Sequence, residues 1–441
     1  MKKISRRSFL AATAVCGAAA ALTACGGSSS STSTAASSTA ASSAAASEST
    51  GPVTLQWAIW DKESTAYWQA MADGYMKGHP DVTIEMVDLG SSDYMTVLAT
   101  QLAGNADLDI LTIKDIPGYA NLINLDYLQP MNDILTRDKG DFNGTIDQLT
   151  TDDGNFYAVP FRSDFWVLYY NKDLFDAAGV EYPSNDLTLE EYDALARKMT
   201  SGTGDNKVYG CHYHTWRSAA SLFSILDGKH TIIDGNYDFM KDTYDMVIAQ
   251  QKDGICMDYG YLKTSSLHYS AAFENQQCAM VNMGSWFIAT LQTYMKDAET
   301  KFNWGIVKYP HPAGAPAGST LGTVTSLAIN VNSKKADAAA DFINWCVSEE
   351  GAEAIAATGT FPACNSSATS DIIKQSEGFP EDDNSVEALT TTAVYLEMPY
   401  TPYASDIETI LNAEHDAIMT MSETVDEGIQ NMNDQVPAVL G

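Results

Sequence analysis

Apolar residues along this chain fall into short, regular blocks. Residues 53–60 (V-T-L-Q-W-A-I-W) read as a strand. Ser64 then opens a helix with Trp68, Met71 and Tyr75 at i, i+3 and i+7, stopped by Gly78-His79-Pro80. Val82, Ile84 and Met86 alternate as in a half-buried strand. Tyr94, Val97, Leu98 and Leu102 stripe a second helix that Gly104 ends, and residues 109–113 form a third strand. A β-α-β-α-β order predicts a parallel sheet with right-handed crossovers. Such sheets bind ligands beyond the carboxyl ends of their strands. Here those ends are Trp60-Asp61-Lys62, Gly90-Ser91-Ser92 and Lys114-Asp115.

The pattern changes at 153–179. Residues 166–170 (W-V-L-Y-Y) are an unbroken apolar run, as in a strand buried on both faces, closed by polar Asn171-Lys172-Asp173. Just before it come Arg162 and Asp164, two residues apart and therefore on the same side of a strand. Charges that lead into a buried strand need partners or a wet cleft. The chain is expected to cross here from one lobe to another.

Further on, Thr188-Leu-Glu-Glu191 is a capping box that opens a helix with Leu189, Tyr192, Leu195, Ala196 and Met199 on one face. Phe239, Met240, Thr243, Tyr244, Val247 and Ile248 stripe another helix, which ends near Gly254. Residues 278–282 read as a strand, and Met283-Gly284-Ser285-Trp286 leads into a helix. A Pro- and Gly-rich loop is expected over 308–322, then a buried strand at 327–331 and a long alanine-rich helix carrying Phe342, Ile343 and Cys346. Ser405-Asp-Ile-Glu408 reads as a second capping box, for a helix with Ile407, Ile410, Leu411 and Ile418 inside. About 390 residues exceed one core and call for two lobes.

The first 24 residues are a targeting segment, with Lys2, Lys3, Arg6 and Arg7 before a mildly apolar stretch too short to span a membrane. Ser5-Arg6-Arg7-Ser8-Phe9-Leu10 resembles a twin-arginine export signal. A paired arginine also suits an ordinary basic start, so both export routes stay open. Leu22-Thr23-Ala24-Cys25 resembles a lipobox, which implies lipidation of Cys25. Residues 26–51, almost all Ser, Ala, Thr and Gly, have nothing to bury and form a linker with a mean span of about 25–30 Å. Cleavage removes four positive charges and no acids, so the formal charge of −32 becomes −36. That excludes a nucleic-acid partner held by bulk charge. Five cysteines remain after Cys16 and Cys25 (211, 256, 278, 346 and 364). Five is an odd number, which excludes full pairing, and most are expected in the core.

The candidate chemistry is aromatic. The chain has eight Trp and 22 Tyr, and several Trp lie next to polar groups. Trp60-Asp61, Asp164 near Trp166, Trp216-Arg217 and Ser285-Trp286 each suit a sugar, whose ring stacks on an aromatic face while its hydroxyls bind carboxylates. Trp57 and Trp166, inside apolar runs, are expected in the core. Trp60 and Trp286, at element ends, are expected at a ligand, and Trp216 fits either role. Cys211-His212-Tyr213-His214 has no second pair at metal-ligand spacing, so no metal site is expected. Ser201-Gly-Thr-Gly-Asp-Asn-Lys207 lacks the ending of a phosphate loop, and Gly284-Ser285-Trp286 lacks the second glycine of a nucleophile elbow.

The run Y-A-V-P-F-R-S-D-F-W-V-L-Y-Y-N-K-D-L-F resembles the hinge of extracellular solute-binding proteins of sugar ABC transporters, the maltose-binding-protein-like family. The order of elements extends the likeness over most of 52–441. The resemblance implies an α/β, two-lobed periplasmic-binding-protein-like fold with a doubly wound sheet in each lobe. It places 52–160 and 323–370 in lobe 1 and 161–322 and 371–441 in lobe 2, with crossings near Arg162, 318–325 and 361–371. It further implies a monomeric, lipid-anchored, extracytoplasmic binder without enzymatic activity or cofactor, delivering a carbohydrate to membrane permease subunits. Asp61-Lys62 match the family's sugar-binding pair, Asp164 a hinge carboxylate and Trp286 a stacking Trp. Asp115 falls in a binding loop, and Ser91 and Arg162 complete the polar set. Maltodextrin binders carry an aromatic near Glu408, so Tyr400 and Tyr403 are expected to take over its stacking. Two other readings remain: a binder of a non-sugar solute (polyol phosphate, polyamine or peptide), and a tethered glycosidase using Asp61 and Asp164.

Overall fold

A computed structural model describes residues 51–440 except Asn143, Asn365 and Ser367. The export segment, Cys25 and the linker as far as Thr50 lie outside the described residues.

Strands β1 (Val53–Ile59), β2 (Val82–Asp88) and β3 (Ile110–Ile113) pair in parallel in the order β2-β1-β3. Helices α1 (Ala66–Gly78) and α2 (Tyr94–Ala103) make the crossovers, and α3 (Ile116–Asn124) follows β3. Trp68, Met71 and Tyr75 of α1 are buried, as their spacing predicts. Trp57 packs edge-on against Trp68 and donates its Nε1 proton to Thr112 Oγ1 at 2.9 Å. A buried indole with its N–H satisfied is a stable core element.

The strand expected over 166–170 is the second half of β4 (Val159–Asn171), which runs without interruption through the charged pair. Its first half, as far as Phe165, lies antiparallel to β7 (Ser319–Ile329). From Trp166 onward it lies between β5 (Met280–Gly284) and β6 (Trp304–Lys308). β7 changes partners in the same way. Ser326 to Ile329 pair with β3, and Ser319 to Gly322 with β8 (Ala393–Leu396). Two strands are thus shared by both halves of the sheet.

Some sequence expectations shift. The strand expected at 278–282 begins two residues later, at Met280. The loop expected over 308–322 is shorter, because β7 starts at Ser319. The alanine-rich helix is two, Ala336–Cys346 and Glu349–Ala356, separated by Val347 and Ser348, and Ser348 caps the second through the Gly351 amide. The capping box at Thr188 is present with both of its bonds. The one at Ser405 is not. The helix Ala404–Met419 starts two residues earlier than a Ser405 cap requires, with Tyr403 as an N-cap that makes no side-chain bond. Ser405 and Glu408 therefore point out of its first turns to other partners. All five described cysteines are buried and free.

Candidate functional site

The strand register assembles the site. Ile113 lies opposite Ser326, and Thr325 opposite Arg162, so the carboxyl end of β3 reaches the level of the β4 charges. Beyond it opens a cleft of about 530 Å³. Asp93, Lys114 and Asp115, beyond the ends of the parallel strands, line it together with Trp216, Arg217, Glu397, Glu408, Asn412 and Gly322 to Val324 of β7.

Of the residues expected from sequence, the cleft wall holds Asp115 and Trp216 directly. The Asp115 side chain also caps α3, accepting from the Gly118 amide at 2.7 Å. Trp216 is 42% exposed and ends just before a short 3-10 turn, Arg217–Ala219. Asn282 of β5 holds that turn by donating to the Ala219 carbonyl at 2.7 Å. Trp286 stands beside Trp216, ring centroids 6.2 Å apart, with Tyr269 against both. Its ring folds back over Gly284, where an added Cβ would sit 2.0 Å from it, so the Met-Gly-Ser-Trp sequence is what lets the indole lie there. Trp216, Trp286, Tyr269 and His214 form a continuous aromatic cluster, of which Trp216 lines the cleft.

Trp60 does not offer the open face expected of it. It is 7% exposed and packed edge-on against Trp68 and Tyr94, because α1 and α2 close over the end of β1. The Lys114 ammonium lies over its ring at 5.2 Å and donates to the Ser91 carbonyl at 2.7 Å. Burial lowers the Lys114 pKa, with Asp115 acting against that. Ser91 thus meets the site through its backbone. Asp61 takes a left-handed backbone conformation after β1, and the Lys62 amide donates to Asp88. Tyr400 packs edge-on against Tyr119 of α3, and Tyr403 is exposed.

Asp164 is 1% exposed. Its Oδ1 accepts from Ser285 Oγ at 2.8 Å, and its Oδ2 lies 2.8 Å from Arg162 Nε without hydrogen-bond alignment. Burial pushes its carboxyl above the ordinary value against the pull of Arg162 and Ser285. Arg162 also donates from Nη1 to Tyr67 Oη at 2.6 Å. The pair braces the crossing, and Asp164, expected at the ligand, is buried and is not among the residues that line the cleft.

Sequence reasoning missed the acidic half of the cleft. Glu408 accepts from Arg217 Nη2 at 2.6 Å and from Asn412 at 3.0 Å. Burial opposes the Arg217 charge, but Glu408, with Tyr244 and Glu397 in the same direction, holds the guanidinium above its ordinary pKa. Glu397 accepts from Trp166 Nε1 at 2.6 Å, and burial pushes its carboxyl up to about 7. Glu408 and Asn412, one helical turn apart, carried a signal that the capping pattern masked. Glu397 follows a four-residue strand with no clear alternation and carried none.

A two-lobed α/β scaffold with shared strands and an aromatic, acidic cleft at its crossing defines a solute-binding protein. The model of the bacterial extracellular solute-binding protein family matches residues 60–353, and the chain belongs to that family. It is a solute-binding protein of an ABC transporter that delivers its ligand to a membrane permease. A twin-arginine translocation signal model matches residues 3–23, consistent with an extracytoplasmic location. A sugar transporter from Rhizobium etli, solved in an open conformation, is 47% identical, with a TM-score of 0.77 over 87% of this chain and 99% of that one. A Listeria monocytogenes ABC substrate-binding protein, solved with cycloalternan, shares the fold at 21% identity, TM-score 0.74, over 88% and 99% of the two chains. The sn-glycerol-3-phosphate-binding periplasmic protein UgpB of Yersinia pestis is 24% identical over 82% of this chain and 86% of its own length.

Proposed function

We propose that the ligand is a neutral mono- or oligosaccharide, captured outside the cell between the two lobes. The observation that carries this reading is the aromatic wall of Trp216 and Trp286 beside the carboxylates of Glu397 and Glu408 and the amide of Asn412. A sugar ring has an apolar face for the first and hydroxyls for the second. β4 changes partners between Phe165 and Trp166, five residues past the expected lobe boundary at 160/161, and β7 leaves β8 after Gly322, so closure is expected about those two strands.

A phosphorylated polyol is the second reading, favoured by what the Yersinia pestis relative is named for and by the cations of Lys114 and Arg217 in the cleft. Both cations already have partners, the Ser91 carbonyl and Glu408. Hydrolysis is disfavoured, because Asp164, one of the two acids it would need, is buried against Arg162 and Ser285. We further infer a monomer, without a cofactor, anchored through a lipid on Cys25. Incubation of the purified protein with oligosaccharides tests the function. Binding without new reducing ends is expected, and release of reducing ends would replace the binder with a glycosidase.

A further inference from the structure

We propose that Glu397 sets the cleft's selectivity, holding a ligand hydroxyl and rejecting anionic ligands such as phosphorylated polyols. The proposal rests on the carbohydrate reading above and names the residue that would enforce it. Glu397 sits where β8 meets the shared strand β7, and its amide donates to the Gly322 carbonyl at 3.1 Å. Its side chain lines the cleft with Glu408, Asn412 and Arg217.

The carboxyl group is held through Trp166. Trp166 Nε1 donates to Oε1 at 2.6 Å, and the Trp166 ring stands edge-on to Trp286, centroids 5.8 Å apart. The acid is therefore locked against the same indole that supports the stacking wall. Of the charged groups facing it, Arg217 attracts and Glu408 repels, and Arg217 is itself held by Glu408. Asp93, Asp115, Glu397 and Glu408 line the cleft against Lys114 and Arg217 alone, so acids outnumber bases four to two. An anion entering this cleft meets more acids than cations, whereas a hydroxyl can bond to the Glu397 carboxyl whether or not it carries a proton. Specificity of this kind comes from repelling the wrong ligand as much as from holding the right one.

The test is calorimetry on purified wild type, Glu397→Gln and Glu397→Asp against neutral sugars, inositols and glycerol 3-phosphate. Glutamine keeps an oxygen for the Trp166 proton and removes the charge, and aspartate keeps the charge. Wild type should bind a neutral member of the panel and ignore glycerol 3-phosphate. Glu397→Gln should lose about tenfold to a hundredfold for the neutral ligand and gain measurable affinity for glycerol 3-phosphate, while Glu397→Asp continues to reject it. If both variants match wild type on both ligand classes, the role of Glu397 is overturned and the carbohydrate reading survives. If only inositols bind and Glu397→Gln weakens them, Glu397 stands and the carbohydrate reading falls. Tight binding of glycerol 3-phosphate by wild type, or no binding of any panel member, overturns both.

Discussion

Arg162 Nε lies 2.8 Å from Asp164 Oδ2, in the strand residues just before β4 exchanges β7 for β5 and β6 as neighbours. The pair is tied on one side to Tyr67 of α1 and on the other to Ser285 ahead of Trp286. It therefore links elements on both sides of the crossing. Removing one partner of a buried ion pair strands the other and typically costs about 3–5 kcal/mol. Asp164→Ala and Arg162→Ala should each lower stability by that order. The double variant should lose clearly less than the sum, since the second removal leaves no orphaned charge. Urea unfolding of the three proteins measures this, and additive losses would show that the two side chains act independently.

His415 gives the fold an acid-sensitive point. Its Nδ1 lies 3.0 Å from Tyr244 Oη, and its ring is buried in the helix Ala404–Met419. Burial, with Arg217 and Lys263 in the same direction and Asp416 opposing, pushes its pKa down to about 3. Between that value and the unfolded value of about 6.5, the unfolded chain binds more protons than the folded one. The neutral ring's contribution is complete above pH 6.5 and is lost as pH falls, by at most about 1.4 kcal/mol per unit. Wild type should therefore lose stability more steeply than His415→Gln between pH 6.5 and 4.5 in chemical unfolding. Parallel curves would contradict the assignment.

The anchor is tested by fractionation. Cys25→Ala should leave the protein in the medium or unprocessed, where wild type sediments with membranes. Wild-type membrane association of the variant would remove the lipid from the account.

Much of the first lobe was legible because each element there has a clean period, 2 for β2 and 3.6 for α1 and α2. The crossing was legible because Arg162 and Asp164 precede an apolar run that only a shared, buried strand explains. The acidic half of the cleft was not. Glu408 sits three residues after a serine, a spacing shared by capping boxes and by outward-facing turns. Which of the two forms depends on where the helix begins, and contacts with Pro117 and Arg217 decide that. Trp60 failed for a related reason. Its place at a strand end suggested exposure, but Tyr94 and Trp68 come from helices whose packing over that end no local pattern encodes. Trp166 was read as core and is core, yet its indole N–H reaches through to the cleft at Glu397.

The central claim is that a neutral sugar stacks on the wall of Trp216 and Trp286, and calorimetry of the purified protein against a sugar panel tests it most directly. The account predicts saturable 1:1 heat from at least one neutral sugar. Trp216→Ala and Trp286→Ala should each weaken that binding by roughly tenfold or more, about 1.4 kcal/mol per tenfold, with little change in thermal stability for Trp216, whose ring is half exposed. Absence of heat from every sugar, or unchanged affinity in both variants, would contradict it.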